Sequence, residues 1–96
     1  MVHKKQIIAR LELDPKSYFV TDLTRYTMTI HNLPDWFIVS QLIYFTLEID
    51  YNYDDYDFNM IGLITKIDGD KTYVKIASSP KIWHQVYLTV FRKVSL

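Results

Sequence analysis

No cysteine occurs among the 96 residues, which excludes a disulfide framework and thiolate metal ligation and removes any argument for an oxidising compartment. Glycine is almost as scarce. Gly62 and Gly69 stand too far apart for successive backbone amides to cradle a phosphate, so P-loop and Rossmann chemistry are excluded. Neither a serine nucleophile elbow nor a His-Glu-x-x-His metal helix is present. Alanine appears only at Ala9 and Ala77, whereas isoleucine, lysine, tyrosine and aspartate are abundant. That bias fits an AT-rich coding source, and with it a virus- or plasmid-type accessory protein.

Long hydrophobic runs are missing too. The apolar stretch Ile7-Ile8-Ala9 that follows Lys4 and Lys5 stops at Arg10, short of the roughly 7 to 15 residues of a secretory core. The run from Trp36 to Leu47 is interrupted by Ser40, Gln41 and Thr46 and falls below the ~20 residues of a membrane-spanning helix. These absences point to a cytoplasmic protein with no membrane partner.

Basic residues are absent from one region only. Between Tyr26 and Thr65 there is no Lys or Arg, against Asp35, Glu48, Asp50, Asp54, Asp55 and Asp57; cations predominate on both sides, and the whole chain has zero formal net charge. A pI near 6.8 is not the strongly basic value, above about 9, typical of nucleic-acid-binding domains.

What is present is enough to build a core: 49% of residues are hydrophobic and 16% aromatic, far from a disordered composition. Residues 1–96 read as a single domain, since a chain of this length supports one core. Alternation specifies strands. Ile7, Ala9, Leu11 and Leu13 fall on one side of Gln6 to Leu13, with Ile8 the misfit. Asp14-Pro15-Lys16-Ser17 reads as a turn and Tyr18 to Val20 as a short strand. Thr24 to His31 alternates with Tyr26, Met28 and Ile30 inward. Asn32-Leu33-Pro34-Asp35 can start a turn or a short helix over 34–41, while spacing two from Phe37 to Tyr51 gives a strand over Leu42 to Tyr51 that, if continued back to Trp36, needs a bend or bulge near Ser40. Phe58 to Ile67 and Thr72 to Ala77 flank Asp68-Gly69-Asp70-Lys71, a hairpin signal. Ile82 to Val94 reads as a final strand. The expected fold is all-β, or β-rich with one short helix near 34–41: a small antiparallel barrel or sandwich of six to seven strands.

Candidate sites follow from these strands. Asp50, Tyr51, Tyr53, Asp54, Asp55, Tyr56 and Asp57 form an acidic, tyrosine-rich segment suited to a basic protein partner, because tyrosine offers rigid contact area and carboxylates pair with Arg or Lys. Counted as a calcium loop from Asp50, the same segment has Asp55 where glycine is needed and Ile61 where glutamate is needed, so no metal site is assigned. His3, His31 and His84 show no ligand or catalytic spacing. No catalytic residue and no cofactor are assigned, and a non-enzymatic interaction module is expected. Large residues on both faces of the two longest strands imply a homodimer or a bound partner, with Trp36, Tyr44, Tyr87 and Phe91 as interface residues. The alternative is a single-stranded nucleic-acid-binding barrel like the oligonucleotide-binding fold. Lys66, Tyr73, Lys75, Tyr87, Phe91 and Lys93 would then share one basic, aromatic sheet face.

Overall fold

The computed structural model describes residues 6–14, 16–51 and 54–92, together with their side chains except those of Tyr51, Phe91 and Arg92. Each strand forms where apolar side chains recur every second residue. In β1 (Gln6–Leu11) these are Ile7, Ala9 and Leu11, in β2 (Ser17–Thr21) Tyr18 and Val20, and in β3 (Thr27–His31) Met28 and Ile30. Ile43, Phe45, Leu47 and Ile49 line the inside of β4 (Leu42–Tyr51); Phe58, Met60 and Ile64 do so for β5 (Asp54–Asp68), and Thr72 and Val74 for β6 (Lys71–Ser78). Two inward assignments are corrected. Leu13 lies beyond the end of β1 and is exposed, and Tyr26 is exposed before β3 begins, while Thr29 is buried beside Tyr73 of the neighbouring strand.

The six strands close into an antiparallel barrel in the order β1-β2-β3-β6-β5-β4, with β4 returning to β1. β1, β2 and β3 form a meander, and β4 then lies beside β1, which is the Greek-key arrangement. Closure puts the inward stripes of all six strands into one core and leaves the outward stripes to solvent. One end of the barrel carries the β1–β2 turn, the 32–41 connection and the β5–β6 turn; the other carries the 22–26 loop and the β4–β5 connection.

The final strand assignment is wrong. Ile82–Tyr87 is α1, continued by a π-helical turn, Leu88–Arg92. Alternation over this segment misled because Trp83, Val86, Tyr87 and Val90 also recur at helical spacing, and it is this stripe that packs on the core. Pro80 marks the entry: its carbonyl accepts the Trp83 amide at 3.0 Å. Trp83 is wholly buried, its ring meets Phe58 edge-on at 5.2 Å, and its Nε1–H donates to the Arg25 carbonyl at 3.0 Å. Burying an indole contributes roughly 4 to 6 kcal/mol before entropy is counted. α1 therefore seals the barrel end formed by the 22–26 loop and the start of β5.

No helix forms over 34–41. Two turns form instead, around Asp35-Trp36 and Val39-Ser40, with Phe37 turned into the core. Ser40 has φ 74° in the second of these turns, and the strand begins only at Leu42, so no continuous strand runs from Trp36. Its amide donates to the Ile64 carbonyl at 2.8 Å, and the Ile64 amide donates to the Gln41 carbonyl at 3.0 Å, which ties the connection to β5. The β5–β6 hairpin turns on Gly69 and Asp70, with Gly69 at φ 60° in the first loop position, as in a type II′ turn.

Gly62 is a packing requirement. A Cβ there would stand 2.4 Å from Val74 Cγ1 and 3.1 Å from Phe45 Cε1, both on buried side chains. Gly62→Ala is expected to cost about 1 to 3 kcal/mol through overpacking, and a thermal melt should show Tm lowered by several degrees.

Tyr18 supplies a pH signature. Its hydroxyl donates to Asp14 Oδ2, and burial first, then that bond and the Asp14 charge, push the phenol up to about 12. The fold prefers the neutral phenol. Its contribution is therefore complete below the ordinary phenol value of about 10 and is lost as pH rises through about 12. Thermal melts across this window should show an alkaline loss of stability that is smaller in Tyr18→Phe.

Candidate docking surface

Since even-numbered residues of β4 and odd-numbered residues of β5 point away from the core, the register fixes what meets on the barrel's exterior. Leu42 faces Leu63, Tyr44 faces Ile61, Thr46 faces Asn59, Glu48 faces Asp57 and Asp50 faces Asp55. β1 extends this face with Arg10 opposite Thr46 and Ile8 opposite Glu48. The strip grades from apolar at one end of the barrel to acidic at the other.

At the apolar end Leu42 and Tyr44 are half exposed, and the connection leading into β4 exposes Trp36, Ile38 and Val39. A groove of about 530 Å³ runs along the strip between Arg10, Tyr44, Thr46, Asn59, Ile61 and Ser78. At the acidic end a smaller depression of about 300 Å³ is bordered by Gln6, Ile8, Glu48, Asp50, Asp55 and Asp57. Among the described residues Arg10 faces this cluster, its Nη2 lying 2.9 Å from Glu48 Oε2 in an ion pair without hydrogen-bond geometry. The Arg10 side chain is exposed and Glu48 is half-buried, and with one partner solvated the pair contributes little to stability.

The carboxylates sit in an unfavourable arrangement. Directly opposed like charges destabilise a sheet, and Glu48/Asp57 and Asp50/Asp55 are successive opposed pairs on one face, of which Glu48 is ion-paired with Arg10 among the described residues. Asp55→Asn combined with Asp57→Asn should raise Tm by a few degrees at low salt, and the gain should shrink near 1 M salt, where charges are screened beyond about 3 Å.

Of the residues singled out for a basic partner, Asp50, Asp55 and Asp57 share this face, and Asp54 is exposed at the hairpin end. Tyr56 does not join them; it is half buried on the inward side and stacks on Phe58 at 6.4 Å. The side chain of Tyr51 and the whole of Tyr53 lie outside the described residues. Glu48, Arg10, Ile61 and Leu63 belong to the strip and were not singled out from the sequence; the alternation of β5 set against that of β4 would have supplied Glu48, Ile61 and Leu63, whereas Arg10 enters through the β1–β4 register.

Among the proposed interface residues Trp36 and Tyr44 are exposed, Trp36 stacking on Phe37 at 4.0 Å. Tyr87 instead packs half-buried on α1, 5.7 Å from the Trp83 ring, and the Phe91 side chain lies outside the described residues. The basic, aromatic sheet face is correspondingly incomplete. Lys66 Nζ stands 5.7 Å from the Tyr73 ring centre, and Lys75 is exposed farther along β6. Tyr87 is on a helix rather than a third strand, and Lys93 lies outside the described residues. His31, beside Lys71 and 2.6 Å from Thr21 Oγ1, and His84, beside Tyr26, occupy opposite ends of the barrel. Among the described residues no group of three or more His, Asp or Glu side chains is placed to hold a metal ion, and no helix is long and apolar enough to cross a membrane. Compared with protein-family models, with curated proteins and with solved structures, the chain finds no match.

Proposed function

We propose that this chain is a non-enzymatic protein-binding module whose docking surface is the outer strip of β1, β4 and β5. The partner it suits carries basic groups to meet Glu48, Asp50, Asp55 and Asp57, and apolar groups to cover Leu42, Tyr44 and Ile61. The observation that carries this reading is the pair of opposed carboxylate couples, Glu48/Asp57 and Asp50/Asp55, kept beside exposed apolar couples on one continuous face. Taken alone, those couples destabilise the sheet. A basic partner reverses the sign of the interaction, and the apolar end supplies the desolvated contact that charge alone does not provide.

The test is a charge reversal on the outer face. Asp55→Lys combined with Asp57→Lys should abolish capture of partner proteins from the native host's lysate while leaving Tm unchanged or raised. Unchanged capture would remove this face from the function. A fluorescent single-stranded oligonucleotide titrated at two salt concentrations is the counter-probe. Salt-dependent binding that survives the reversal would favour the nucleic-acid reading through Lys66, Tyr73 and Lys75.

A further inference from the structure

The register leaves half of β5 with a strand on only one side. β5 pairs with β4 from Asp54 to Leu63, but its pairing with β6 begins only at Ile61, opposite Ser78, because the chain then leaves the sheet and enters α1. From Asp54 to Met60 the second edge of β5 has no strand partner among the described residues.

Which backbone groups point along that edge follows from two hydrogen bonds. The Ile64 amide donates to the Gln41 carbonyl and the Ile64 carbonyl accepts from the Ser40 amide, so both polar groups of Ile64 face the β4 side. In an antiparallel ladder hydrogen-bonded and non-hydrogen-bonded pairs alternate. Gly62, Met60, Phe58 and Tyr56 therefore bond to β4, and Ile61, Asn59, Asp57 and Asp55 turn their N–H and C=O groups away from it. The opposite side of β4 agrees with this phase, since the Tyr44 carbonyl accepts the Glu12 amide of the chain leaving β1. Ile61 meets β6. No backbone bond on that side is formed by Asp55, Asp57 or Asn59 among the described residues, and their side chains are exposed on the outer face.

We infer that this edge of β5 is a strand-addition site, and that its occupant is an extended segment of a partner protein with Lys or Arg at alternate positions. The inference rests on the docking reading above and specifies how the partner docks. An unpaired edge offers a row of donors and acceptors that an extended peptide satisfies with its own backbone. Alternate side chains of the added strand would project from the outer face of the sheet beside Asp55 and Asp57, where opposite charges across strands are favourable. Charge also selects against self-pairing. A second copy adding its own β5 edge in antiparallel fashion would bring Asp55 and Asp57 against the same carboxylates.

The probe is an alternating lysine-threonine peptide of about eight residues. Its controls are the same peptide N-methylated at every second amide, which keeps the charge and removes strand donors, and an alternating glutamate-threonine peptide. Titration with hydrogen exchange followed by NMR should show the lysine peptide binding, the amides of Asp55, Asp57 and Asn59 gaining protection, and Tyr56 and Phe58 unchanged. The N-methylated peptide in the register that blocks pairing should bind about tenfold or more weakly, as expected for lost backbone hydrogen bonds, and the glutamate peptide should not bind. Asn59→Pro removes one edge donor without altering charge or the β4 ladder, a placement that an edge strand tolerates, and should weaken the lysine peptide by a similar factor. Binding of the lysine peptide without protection of the three edge amides would overturn strand addition while leaving the docking face standing, as would equal binding of the N-methylated form. Absence of lysine-peptide binding would overturn strand addition as well, whereas the docking face itself is decided by the charge-reversal capture.

Discussion

The indole of Trp83 sets the limits of the barrel. β6 leaves the sheet at Ser78, so one end of the structure would stand open between β5 and the 22–26 loop. Trp83 closes that opening, its ring against Phe58 and its Nε1–H on the Arg25 carbonyl, which joins the C-terminal helix to both sides of the gap. A tryptophan suits this place because its N–H needs a partner once buried, and the loop carbonyl provides one. The same substitution of helix for strand that seals the core from above also withdraws β6 from the first half of β5. Core closure and the exposed edge thus have one origin.

The outer surface is organised by register rather than by sequence neighbourhood. Glu48 and Asp57 sit on successive strands of one hairpin, and the register sets them directly opposite one another in the sheet. The cation-free region between Tyr26 and Thr65 supplies the acidic part of the strip because the paired stretches of β4 and β5, from Leu42–Leu63 to Tyr51–Asp54, both lie within it. Arg10 of β1 is the one neutralising contact described there, and it engages Glu48 while the aspartates of β5 remain solvated.

Much of this architecture is legible in the alternation of single strands. Ile43, Phe45, Leu47 and Ile49 define the inward face of β4, and Gly69 defines the hairpin that follows β5. Alternation fails where a segment satisfies two periods at once. Between Ile82 and Val90 every second residue is apolar or aromatic, but so are the positions three and four apart from Trp83, and the deciding influence is tertiary: a helix brings Trp83, Val86 and Val90 onto the core together, which a strand cannot do. The acidic segment was legible as charge but not as a surface, because separating Tyr56 from Asp55 and Asp57 requires knowing that β5 extends back to Asp54. Proline and asparagine at 32–35 correctly marked a junction, yet whether it coils or turns depended on Phe37 finding the core.

The Greek-key connection also orders the assembly of the chain in time. β4, β5 and β6 are neighbours in sequence and in space, and their hairpins close over short loops, so this half gains contacts at small entropic cost. β1 finds β4 only after β2, β3 and the 32–41 connection have been spanned, and β3 finds β6 only across β4 and β5, so these two seams carry the larger loop-closure penalty. Until both form, the inner faces of the two three-strand halves are open to water and to other chains, which makes closure of these seams the vulnerable stage in the life of a newly made molecule.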